Sequence, residues 1–151
     1  MSALSTLQRG ILAVLGFGMV GTLAELLLLE HYEEPAQWVP LVLLAIAMGV
    51  LLWHAARRDT ASRRALQATM LLFVIAGAVG VALHFRGAAE YQLELNPTLG
   101  RWDLTKKVMR AKAPPVLAPG LMMQLGLLGL AYTYRDPKLA GSATGHGPID
   151  T

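Results

Sequence analysis

Four long apolar runs, at about 8–31, 38–56, 65–85 and 115–134, constrain this chain more than any other feature. Each approaches the ~20 residues an α-helix needs to cross a hydrocarbon core of about 30 Å. Lipid offers no partner for backbone N–H and C=O groups, so a spanning segment is a helix or part of a closed barrel. Barrel strands alternate polar and apolar residues, and these runs are continuously apolar. The expectation is an all-α polytopic membrane protein, an antiparallel four-transmembrane-helix bundle over residues 1–137. A disordered Gly/Ser/Ala/Thr tail is expected to follow at 138–151.

Composition agrees. Charged residues make up 15% of the 151 residues, well below the roughly 25% of soluble domains. The net charge of +3 comes mostly from Arg and Lys clustered beside the apolar runs, where they orient spans and meet phospholipid headgroups. No nucleic-acid motif accompanies them, so nucleic acid is not an expected partner. With no cysteine, disulfides, thiol catalysis, Fe–S clusters and cysteine zinc sites are excluded. The first run is too long for the apolar core of a signal peptide and lacks a small-x-small cleavage site, so it reads as an uncleaved span.

Charge sets the expected orientation. Residues 57–64 carry Arg57, Arg58, Arg63 and Arg64, whereas the loop after the first span has no Lys or Arg. The positive-inside rule places the arginines and both termini in the cytoplasm, here of a bacterial inner membrane. In the connection between spans three and four, Asn96-Pro97 resembles a helix start. Leu99, Trp102 and Met109 share a stripe among Lys106, Lys107 and Arg110. That pattern predicts a short interfacial helix. The four arginines and these three basic residues are the candidate lipid-headgroup contacts.

An ionisable residue in a span is a candidate functional group. Glu25 lies about 9 Å below His31 at 1.5 Å per residue and shares a face with Gly18, Gly21 and Thr22. Gln124 of the fourth span is its expected hydrogen-bond partner, and Gly77, Gly80, Gly126 and Gly129 are expected to bring helices together. The non-cytoplasmic end collects Glu30, His31, Glu34, His84 and Glu90, donors that suit a divalent ion such as Zn, Fe or Mn. Adjacent Glu30 and His31 point about 100° apart on a helix. Haem fits less well, because both histidines sit at span ends. His54, beside Arg57 at the opposite end, reads as an interface residue.

No catalytic serine, Walker or dinucleotide signature is present, which argues against an enzyme. The favoured role is a non-catalytic subunit or accessory factor of a larger membrane complex, or a homo-oligomer. The alternatives are a metal- or cofactor-binding protein using the Glu/His end and a proton-linked transporter component using Glu25.

Overall fold

A computed structural model of the chain describes residues 3–111 and 117–134. Every secondary-structure element in them is helical: α1 (Ala3–Leu28), a short 3-10 turn (Pro35–Gln37), α2 (Trp38–Arg57), α3 (Thr60–Leu95), α4 (Arg101–Met109) and α5 (Leu117–Tyr134). The tail expected from 138 onward, and His146 within it, lies outside the described residues.

Among the described residues, three helical segments are long and apolar enough to cross a membrane: Thr6–Leu28, Pro35–Arg57 and Thr60–Leu95. Their outward faces are apolar, with Phe17, Leu52, Ile75 and Val79 all exposed. A surface covered in such side chains is what lipid solvates and water does not. The 18-residue α5 is not among those three.

α1, α2, α3 and α5 form a ring. α1 packs on α2 and α5, and α3 packs on the same two neighbours. The pairs α1–α3 and α2–α5 make no backbone approach and stand on the two diagonals. Leu15, Met19, Leu44, Leu66, Met70 and Phe73 fill the centre with no exposed surface.

The most extensive seam joins α3 and α5, and glycine on both helices makes it possible. A Cβ at Gly77 would stand 2.6 Å from the Pro119 carbonyl oxygen and 3.0 Å from the Met123 nitrogen. At Gly126 it would meet the Met70 carbonyl oxygen at 2.7 Å, and at Gly80 the Pro119 Cβ at 2.9 Å. Gly129 faces the Met70 side chain. Without a hydrophobic force between helices in lipid, this backbone-to-backbone fit supplies the attraction. The four glycines expected to bring helices together do so.

Two expectations from the sequence are corrected. The third apolar run is part of a 36-residue helix, roughly 16 residues beyond the ~20 that a span requires. No proline interrupts 60–96, so nothing stops α3 until Asn96-Pro97. Pro97 bars the residue before it from helical geometry, and Asn96 takes the extended C-cap position (φ −148°, ψ 92°). Asn96-Pro97 therefore ends α3, and Gly100 is the N-cap of α4.

α4 itself forms where a short helix was expected. Val108 is buried, while Trp102 and Met109, seven residues apart on one stripe, face outward. Lys106 pairs with Asp103 at 2.8 Å and lies 5.8 Å from the Trp102 ring centre.

Candidate functional site

Two histidine centres, one at each end of the bundle, hold the polar chemistry of this chain. The first begins with a tight turn. α2 ends at Arg58, whose positive φ of 49° and N–H donated to the His54 carbonyl at 2.9 Å reverse the chain. Asp59 then caps α3, its Oδ1 accepting the Ser62 N–H at 2.7 Å. That bond holds the Asp59 carboxyl below its ordinary pKa, and the nearby Arg57 adds to the effect. The two-residue turn sets Ser62 directly beside His54.

From there a chain of hydrogen bonds crosses the bundle. The Ser62 hydroxyl donates to the Asp59 carbonyl at 3.1 Å, leaving its oxygen to accept from His54 Nδ1 at 3.1 Å. On the other side of the ring, His54 Nε2 shares a hydrogen bond with the Tyr132 hydroxyl, also at 3.1 Å. His54 is 1% exposed and Ser62 fully buried, so the network is out of a substrate's reach. It locks α2, α3 and α5 together. His54 is thus a buried strut across the α2–α5 diagonal, where the sequence suggested an interface residue. The clue was its heptad-like spacing from Ala47 and Leu51, both buried on the same face of α2.

At the opposite end α1 closes in a Schellman motif. The Glu30 N–H donates to the Leu27 carbonyl at 3.1 Å and the His31 N–H to the Leu26 carbonyl at 2.9 Å. Glu30 occupies the left-handed position with φ 52°, which glycine adopts with less strain. Glu30→Gly is expected to raise stability by about 1 kcal/mol, read as a higher unfolding midpoint in detergent. The motif aims His31 back over the bundle, and its ring centre lies 6.1 Å from that of His84. Partial burial, then the nearby His84, lower the pKa of His31, favouring neutral imidazole. Trp38 Nε1 closes the same loop by donating to the Tyr32 carbonyl at 3.0 Å.

Of the five residues considered for a metal, His31 and His84 come together. Glu90 instead pairs with Arg86 at 2.8 Å on the exposed part of α3. The Glu34 N–H, with that of Glu33, donates to the Gln37 side chain. Glu30 is exposed on its strained turn. Among the described residues no group of three or more His, Asp or Glu side chains could hold one ion.

The expected Glu25–Gln124 bond does not form. Both residues are exposed, and Gly18 packs against Leu125. That register sets Gln124 level with about residue 19, some 9 Å along the axis from Glu25 at 1.5 Å per residue. The face shared by Gly18, Gly21, Thr22 and Glu25 is split. Gly18 and Thr22 turn inward, with Thr22 donating to the Gly18 carbonyl at 2.8 Å. Gly21, with nothing within 4 Å of its Cβ position, and Glu25 turn outward. Among the described residues the Glu25 side chain has no hydrogen-bond or ion-pair partner.

Of the candidate headgroup residues, Arg57, Arg58, Arg64, Lys107 and Arg110 are exposed, and Arg63 and Lys106 partly so. The arginines cluster at the Tyr132 end. Lys106, Lys107 and Arg110 line a shallow groove with Gln92, Leu99 and Asp103 at the other.

Apolar helices with apolar outer faces, joined by glycine seams and buried polar struts, define a helical, membrane-compatible protein. Comparison with protein-family models, curated proteins and solved structures finds no match for this chain.

Proposed function

We propose that this chain is a non-catalytic subunit or accessory factor of a larger membrane assembly, and that the outer face of α1 is where it docks. The carrying observation is Glu25. It stands outward near the end of a spanning helix, with exposed Leu27, Leu28 and Leu29 between it and the His31 turn. A carboxylate below a leucine collar is costly in lipid. A neighbouring helix bearing a cation or hydrogen-bond donor at that depth offsets the cost. Gly21 and Ala24, exposed on the same face, leave room for a close backbone approach. The outward aim of Glu25 favours this reading over an internal proton path.

In this reading α5 is the fourth span, because it runs antiparallel to α3 along a continuous glycine seam from Gly80–Pro119 to Met70–Gly129. Both termini and the arginine turn then face the cytoplasm of a bacterial inner membrane, and the basic residues of α4 meet headgroups on the far side.

Gentle detergent extraction of the tagged chain tests the proposal. Wild type is expected to emerge with a fixed membrane partner, and Glu25→Leu without it, at an unchanged unfolding midpoint. A wild-type chain that emerges alone, or equal partner recovery from both, contradicts it.

A further inference from the structure

The two diagonals of the bundle are bridged differently. At the arginine-rich end His54 crosses from α2 toward α5 and finishes on the Tyr132 hydroxyl. At the other end His31 and His84 meet across the α1–α3 diagonal with only each other's rings as neighbours in kind. Among the described residues neither ring makes a hydrogen bond. His84 is exposed and His31 partly so, and His31 lies beyond the Thr6–Leu28 span.

The spacing suits a shared ion. A zinc–nitrogen bond of about 2.0–2.1 Å puts the metal ~3.2 Å from the centre of a ligating imidazole. Two such rings therefore stand roughly 5–6.5 Å apart as the angle at the metal opens from tetrahedral toward linear. The observed separation is 6.1 Å, with the ring planes tilted by 31°, so the rings must close by about 1 Å to reach the tetrahedral angle that zinc prefers. Imidazole is a preferred ligand for divalent ions of the zinc class.

We propose that His31 and His84 form a two-imidazole site for a divalent transition ion of the zinc class, with water completing its coordination. Bound there, the ion clips the end of α1 to α3, two helices whose backbones do not otherwise approach closely. The site stands independently of the docking role of α1, since it uses neither Glu25 nor the outer face.

The test uses the full chain in detergent, stripped with a chelator and titrated with zinc chloride by calorimetry. One zinc per chain is expected, with a higher unfolding midpoint that the chelator reverses. His31→Ala and His84→Ala are each expected to weaken binding at least tenfold, while His146→Ala binds as wild type does. Midpoints measured in chelator establish that each variant folds, and His84→Gln serves as a second variant should His84→Ala not fold. Absence of zinc binding by the wild type overturns the proposal, and so does equal affinity in folded His31 and His84 variants.

Discussion

His54→Ala is expected to lower stability by roughly 2–4 kcal/mol, the largest effect of any single polar substitution in this bundle. Two losses combine. Removing a fully enclosed imidazole leaves a void that three helices cannot collapse into independently. It also removes two hydrogen bonds between helices, because both His54 nitrogens are engaged at 3.1 Å in a site 1% exposed. Tyr132→Phe keeps the ring and removes one hydroxyl, so its expected cost is smaller, about 1 kcal/mol, in line with interhelical hydrogen bonds in membranes. The double variant should cost less than the sum, since the bond the two residues share can be lost only once. Denaturant unfolding in mixed micelles measures all three. Additive effects would show that the two residues do not act through one bond.

The second large effect is expected at the glycine seam. Gly77→Ala and Gly126→Ala should each cost about 2–3 kcal/mol, because the new methyl meets backbone atoms that cannot rotate away. Those atoms are the Pro119 carbonyl at 2.6 Å and the Met70 carbonyl at 2.7 Å. Gly129→Ala should cost less, since the neighbour there is the flexible Met70 side chain. Gly21→Ala, with open space around it, should leave the isolated chain as stable or slightly more so through helix propensity. The same unfolding assay ranks the four variants. Equal costs at Gly77 and Gly21 would mean that α3 and α5 do not pack as described.

The sequence and the structure agree where physics is local. Continuous apolar runs mark helices because lipid leaves the backbone no alternative, and Gly77, Gly80, Gly126 and Gly129 sit at helical spacing on faces that do pack. Agreement fails where register decides. The position of Glu25 relative to Gln124 depends on how α1 slides along α5, which the Gly18–Leu125 contact settles and no local pattern encodes. Asn96-Pro97 can open or close a helix, and only the unbroken 60–95 segment before it gives the answer. His54 looks like an interface residue because Arg57 and Arg58 follow it, although its spacing from Ala47 and Leu51 already places it on the buried face. The same topology that separates Glu90 and Glu34 from His84 sets His31 beside it, through a turn that begins with a strained glutamate.

Together the two histidine centres explain how a bundle with little extramembrane mass holds its four helices in one arrangement. The seams fix neighbours, and the histidines span the diagonals that backbone contact does not reach. That rigidity leaves the Glu25 carboxylate unanswered on the apolar outer surface of α1. The most direct measurement is photo-crosslinking in native membranes from a reactive residue at Ala24, on the Glu25 face, with Ile46 on the outer face of α2 as the comparison. A discrete protein adduct from position 24 that is absent from position 46, and lost with Glu25→Leu, is the predicted result. No protein adduct from position 24, or the same adducts from both positions, would contradict the account.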